Sequence, residues 1–231
     1  MPKLYIGNKN YSSWSMRPWV LMRQAGIPFD EVMVRFDAFQ PGSAFSKTMD
    51  QVSPAGRVPV LVDDDGFAVW DSLAIAEALA ERHPGKQLWP REAKARARAR
   101  SLCAEMHAGF AALRNHCPMN IEAQLPEVGA RIWREQDGVR ADMARIVAMW
   151  SEQLALYAGT GQQLLFGDFS IADAFYAPVC MRIRSYALPV PEPVAAYVEP
   201  VVALPAVQGW ITDAPAGQDF VPFDEPYRTR R

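Results

Sequence analysis

Three short runs of the chain carry residue types that could do chemistry. The first is Asn8-Lys9-Asn10-Tyr11-Ser12-Ser13-Trp14-Ser15-Met16-Arg17, where serines stand at the start of a helix directly after a strand. Serine is a preferred N-cap, so its hydroxyl can serve simply to satisfy the orphan amides of a first turn. The same hydroxyl, with those amides and the helix dipole, can also stabilise an anion. The second run is Ser53-Pro54-Ala55-Gly56-Arg57-Val58-Pro59-Val60-Leu61-Val62, an apolar strand with a proline in it. Such a proline belongs at a strand's first residue, at an edge or in a special geometry. The third is Trp70-Asp71-Ser72-Leu73-Ala74-Ile75, in which a carboxylate and a hydroxyl open a helix. Taken singly, each run is no more than a good turn or helix start.

Other chemistries find no foothold. There is no GxSxG elbow, P-loop, HExxH or GxGxxG. Cys103 and His107 have helical metal-ligand spacing, but no further ligand pair lies nearby, and ordinary packing is the expectation. His116 and Cys117 are adjacent and do not face one site. The three cysteines, Cys103, Cys117 and Cys180, are widely spaced with no CxxC, which points to a reducing cytoplasm rather than a disulfide framework. A thiol–disulfide role would need a reactive cysteine at a helix N-terminus, and the first helix has none.

The elements that must position these runs fall into two parts. Leu4 to Ile6 reads as a strand, Trp14 to Ala25 as a helix stopped by Gly26, and Glu31 to Phe36 as a strand of period two. An irregular Gly/Pro-rich connection through Pro41-Gly42 and Pro54-Ala55-Gly56 leads to the apolar strand ending at Val62. Asp63-Asp64-Asp65-Gly66 is a hairpin turn to a fourth strand over Phe67 to Trp70, and Ser72 to Arg82 is a helix. A helix between the first two strands implies a parallel crossover, and a tight turn between the last two an antiparallel hairpin. His83-Pro84-Gly85 makes a linker. Beyond Leu88 the pattern is helical throughout: Arg91 to Asn115, then Glu127 to Ala158 with a break near Gly138, then Ser170 to Arg184, then short proline-bounded helices. The expected fold is α/β followed by all-α, with domains over 1–84 and 88–231.

Composition is that of an ordinary globular chain: 231 residues, half of them hydrophobic, with a formal charge of −2. Size scaling gives a folded surface of roughly 10,000 Å². Near-neutral charge argues against a protein built to grip phosphate backbones. The basic run Arg91 to Arg100 scatters its charges around a helix without stacking aromatics, so it reads as a solvated face or subunit contact rather than a nucleic-acid site. The N-terminus has no apolar signal region, and the apolar stretch Val190 to Val207 carries Glu192, Glu199 and four prolines, so no membrane span is expected.

Together the three runs are far more specific than each alone. A serine-led first helix, a Gly-x-Val-Pro-x-Leu strand and an Asp-Ser-x-Ala-Ile helix start occur in that order. This resembles the cytosolic glutathione transferases, whose thioredoxin-like N-terminal domain precedes a helical one. The resemblance extends to Gly167-Asp168-Phe169-Ser170-Ile171-Ala172-Asp173, which looks like that family's capping box at the start of the core helix. Tyr11 to Arg17 looks most like the serine-type classes, especially zeta-like bacterial members, although these typically have cysteine where this chain has Trp14.

The resemblance implies roles. Val58-Pro59 would be cis, with the Val58 backbone pairing with the cysteinyl backbone of glutathione, the co-substrate. Asp71 and Ser72 would hold the γ-glutamyl end, and Arg57 could reach the glycyl end. Ser12 or Ser13 would donate to the thiol sulfur; counting back four or five positions from Arg17 allows either, with Ser12 preferred. Met106, Phe110 and Arg114, spaced i, i+4 and i+8, would face a small electrophilic substrate, with Arg114 suited to an acidic one. The implied activity is thiolate attack on that electrophile by a cytoplasmic homodimer, a glutathione transferase. A glutathione-dependent isomerase, an ether-cleaving enzyme and a non-catalytic binding module are the alternatives.

Overall fold

The computed structural model describes residues 1–231. Four short strands, β1 (Lys3–Ile6), β2 (Asp30–Met33), β3 (Val60–Val62) and β4 (Ala68–Trp70), form one sheet in the order β2-β1-β3-β4. β1 and β2 are parallel, with Tyr5 opposite Val32, across the crossover made by α1 (Ser13–Gln24). β3 runs antiparallel to both β1 and β4, with Leu4 opposite Leu61 and Leu61 opposite Val69. The turn at Asp63 to Gly66 closes the hairpin, and Gly66 takes the positive φ of 86° that the tight turn requires.

The connection expected to be irregular contains a helix, α2 (Ala44–Asp50). Its signals are local and small. Ser43 caps it by accepting from the Ser46 amide, Asp37 accepts from the Ala44 amide at 2.8 Å, and Phe45 and Met49 form its one buried face. Its flanking glycines and prolines hide that face in any window average. The helix α3 (Ser72–Arg82) follows β4.

The helical part comprises α4 (Ala93–Ala108), α5 (Ala111–His116), α6 (Pro126–Glu135), α7 (Asp137–Leu156), α8 (Ile171–Tyr186), α9 (Glu192–Ala203) and α10 (Pro205–Asp213). The single helix expected over Arg91 to Asn115 is broken. Gly109 ends α4, and Phe110 turns the chain with a φ of 56° before α5 begins. The break expected near Gly138 falls at Gln136.

α8 is the axis of the molecule: all of its residues but Arg184 are buried. Its start is a complete capping box, with the Ser170 hydroxyl accepting from the Ala172 amide and the Asp173 carboxylate accepting from the Ser170 amide at 2.9 Å. α1 packs on α8, α10 and α3, so one continuous apolar core runs from Leu4 and Ile6 of the sheet to Trp150 and Tyr197 of the helices. No single helix is long and apolar enough to cross a membrane. The accessible surface is 10782 Å², close to the size-scaling value.

Candidate functional site

Two adjoining cavities lie where the sheet part meets the helices. The larger, about 670 Å³, is lined by Tyr11, Ser12, Ser13 and Trp14 from the start of α1, by Phe36 and Phe39 from the approach to α2 and Phe45 within it, and by Gly56 to Val58. Arg114, Asn115, Pro118, Met119, Arg182 and Asp224 complete it from the helical side. The smaller, about 380 Å³, is enclosed by Ala55, Arg57 to Pro59, Trp70 to Ser72, His107, Trp14 and Arg114. Every sequence-assigned residue of the sheet part lines one or both.

The peptide bond between Val58 and Pro59 is cis, and Pro59 stands just before the first paired residue of β3. Neither the amide nor the carbonyl of Val58 makes a backbone hydrogen bond within the chain. A strand edge left open inside a cavity suits a peptide-like ligand. Asp71 has a φ of 76° and caps α3, its Oδ1 accepting from the Leu73 amide at 2.8 Å. Ser72 is 1% exposed and its hydroxyl has no partner. A buried hydroxyl without a partner costs free energy, and here it lines a cavity at a helix N-terminus, where an anionic group would satisfy it.

Ser12 is not a side-chain cap, contrary to the simplest reading of the residues alone. Its hydroxyl donates instead to Ser15 Oγ at 2.7 Å, which in turn accepts from the Gly7 amide at 3.1 Å. Ser15 is thus structural, tying β1 to α1. Ser13 accepts a long bond of 3.4 Å from Arg182 Nη2 and donates to no protein group. Tyr11 lines the larger cavity as well, but its hydroxyl is engaged elsewhere. Its hydroxyl donates to Glu225 Oε1 at 2.8 Å, and burial, then Glu225, pushes its pKa up to about 12, so it remains a proton donor.

The electrostatics are lopsided. Arg17, Arg114 and Arg182 gather around Trp14 and Ser13. Arg17 is 1% exposed and none of its guanidinium nitrogens has a hydrogen-bond partner; the group stacks on Trp14 at 4.0 Å and faces Phe175 at 5.0 Å. Burial, then the charges of Arg182 and Arg114, lowers its pKa to about 9. Arg114 lies 5.3 Å from the Trp14 ring. On the carboxylate side, burial and then Glu225 raise Asp224 to about 6.

Of the three residues assigned to the electrophile, only Arg114 reaches a cavity. Met106 and Phe110 are buried in the core, because the chain turn at Gly109-Phe110 destroys the expected i, i+4, i+8 face. His107, expected only to pack, has its Nε2 3.1 Å from Asp71 Oδ2 and its ring against Trp14. The basic run on α4 pairs within the chain, Arg100 gripping Glu77 with two nitrogens. Sequence reading missed His107, Arg182 and Asp224. Arg182 alone left a trace: a charge amid the apolar run from Ala174 to Ile183. Phe36 is admitted over β1 because Gly7 has no side chain; a Cβ there would lie 2.2 Å from the Phe36 ring.

A four-stranded thioredoxin-like sheet joined to a helical domain, with two adjoining cavities in the cleft between them, defines the class. Residues 11–82 match the family model described as "Glutathione S-transferase, N-terminal domain", and residues 91–213 match "Glutathione S-transferase, C-terminal domain". The protein belongs to the glutathione S-transferase family. It is similar to a rat (Rattus norvegicus) protein described as maleylacetoacetate isomerase, with 24% identity over 96% of each chain. Among solved structures it resembles a Burkholderia glutathione transferase homolog with bound glutathione, at a TM-score of 0.69 and 24% identity, covering 93% of this chain and 98% of that one. It also resembles a maleylacetoacetate isomerase from Methylobacterium extorquens AM1 with bound malonate and glutathione, at a TM-score of 0.65 and 26% identity, covering 92% and 97%.

Proposed function

We propose that the protein binds glutathione in the smaller cavity and along Val58, and presents its thiolate to an acidic electrophile in the larger one. The observation that carries this reading is the meeting of three features in one cleft: the open Val58 backbone, the partnerless Ser72 hydroxyl and the Ser12-Ser13 pair. Ser72 and the α3 N-terminus receive the γ-glutamyl carboxylate, and Asp71 Oδ2, shared with His107, receives its amine. Arg57 lies within the same cleft for the glycyl carboxylate.

A thiol of ordinary pKa, about 8.5, is only a few per cent ionised at pH 7, and lowering that pKa by about two takes about 2.7 kcal/mol. A hydrogen bond from serine to the charged sulfur contributes about 1.5–3 kcal/mol, and the α1 dipole up to about 1 kcal/mol. Serine therefore suffices without a protein base. The sulfur lone pair forms a bond to an electrophilic carbon; a leaving group departs with its electron pair, or the carbon skeleton takes up the pair and then a proton. Arg114 faces the acceptor side and supports an acidic substrate. The family resemblance supports a homodimer.

A second reading, glutathione-dependent isomerisation, is favoured by the relatives described as maleylacetoacetate isomerases. In that case the thiolate adds, the adduct rotates, and glutathione is expelled unchanged.

Calorimetric titration of glutathione, followed by thiolate absorbance against pH for wild type, Ser12→Ala and Ser13→Ala, tests the proposal. Saturable binding with a lowered thiol pKa that one variant reverses is the expected result. No binding at millimolar glutathione would overturn it. Mass analysis of the product separates the two readings, because transfer consumes glutathione and isomerisation returns it.

A further inference from the structure

Arg182 is placed in the cleft by α8, the buried core helix of the helical part, and its surroundings are unusual for a charge. It is 3% exposed. Its Nε donates to the Cys117 carbonyl at 2.8 Å and its Nη1 to the Pro178 carbonyl at 3.2 Å. These two bonds fix the plane of the guanidinium, and the remaining arm, Nη2, points at Ser13 Oγ. All three partners are neutral. The nearby cations are two more arginines, Arg17 and Arg114, and burial above all lowers its pKa to about 10, so it is positive at neutral pH. A buried charge with no counter-ion is costly, and the cost is recovered when an anion arrives beside it.

We propose that Arg182 is a positioning residue for thiol activation: by donating to Ser13 Oγ it turns that hydroxyl's proton toward the glutathione sulfur, and its uncompensated charge favours the thiolate. This rests on the proposed glutathione reading. The hydroxyl of Ser13 has its lone pair taken by Arg182 and its proton uncommitted, whereas Ser12 already spends its proton on Ser15. Donation into a hydroxyl oxygen also strengthens the bond that the hydroxyl makes onward. The helical domain thereby contributes to a step that otherwise rests on the start of α1 alone, and the site is complete only when α8 is docked.

The test is the thiol titration of bound glutathione for wild type, Arg182→Met, Arg182→Lys, Ser13→Ala and the Ser13→Ala/Arg182→Lys double variant. Binding of S-methylglutathione, which has no thiol to ionise, reports in parallel whether the site is intact. Arg182→Met is expected to raise the bound thiol pKa by about one, roughly a tenfold loss of thiolate at pH values well below that pKa and about threefold at pH 7. Lysine keeps the charge but not the fork, and is expected to fall between methionine and wild type. In the Ser13→Ala background the lysine change is expected to add nothing. If Arg182→Met does not fold, the lysine single and double variants decide. A wild-type thiol pKa in Arg182→Lys with intact S-methylglutathione binding would overturn the proposal, as would an undiminished lysine effect without Ser13. Failure of the wild type to bind glutathione would instead sink the underlying reading.

Discussion

Trp14 is the residue on which the cleft turns, since it belongs to both cavities and carries the guanidinium of Arg17 against its ring. Arg17 has ring stacking on Trp14 and Phe175 in place of hydrogen bonds, and Arg114 also lies over the Trp14 ring, so two positive groups share that indole. Asp224 stands on the same cavity without an arginine partner. Burial raises its pKa to about 6, so it is neutral below that pH and anionic above. Affinity for an unreactive carboxylic acid, measured by calorimetry, should fall several-fold as pH rises from about 5 to 7. Asp224→Asn should flatten that profile, and a flat wild-type profile would remove Asp224 from the acceptor site. The serines, Val58-Pro59 and Asp71-Ser72 were legible beforehand because each is a run of neighbours whose chemistry is local. Asp224, His107 and Arg182 were not, because tertiary packing alone brings them there.

Among the elements, α8 and the broken α4–α5 pair show how far local pattern reaches. The capping box of α8 was readable from Ser170 and Asp173, whose spacing fixes their hydrogen bonds. The break before α5 was not, because the apolar spacing of Met106 and Phe110 continues through Gly109 as though the helix did. Asp173 does more than cap: its carboxylate accepts from the Leu165 and Ser170 amides and from the Tyr197 hydroxyl at 3.0 Å. Asp173→Ala leaves those donors buried and unpaired, and should cost about 3 kcal/mol in urea unfolding. Burial raises the Asp173 pKa to about 6 despite these bonds. The folded state therefore holds a proton that the unfolded chain releases near pH 4, and this contribution to stability falls as pH rises from about 4 to 6. Accordingly, the alanine variant should lose more relative to wild type at pH 4.5 than at pH 7.5. Equal losses at the two values would contradict that account.

At the scale of the whole molecule, the segment after α10 crosses back over the sheet part and fastens the loop that bears the serines. Glu225, 4% exposed, receives the Tyr11 hydroxyl, the Asn120 amide at 2.9 Å and the Arg228 guanidinium, so three distant parts of the chain meet on one carboxylate. Asp219 meanwhile accepts from Asn8 and pairs with Arg35, and Phe223 lies 4.9 Å from Phe39. Glu225→Ala should destabilise the protein by about 3–5 kcal/mol, since it leaves buried partners unsatisfied. Amide exchange at residues 8–13 should quicken more than in β3, and uniform quickening would argue against a local clasp. None of this was legible in the sequence, where residues 219–225 fall only within the stretch read as short proline-bounded helices. The clasp also has a consequence in time. Residues 1–82 emerge from the ribosome about 140 residues before the clasp, which at ordinary rates of synthesis is roughly 7–30 s. For that interval the sheet can pair its strands while Tyr11 and its neighbouring serines lack their anchor, so a newborn chain acquires its fold in part well before it acquires a competent site.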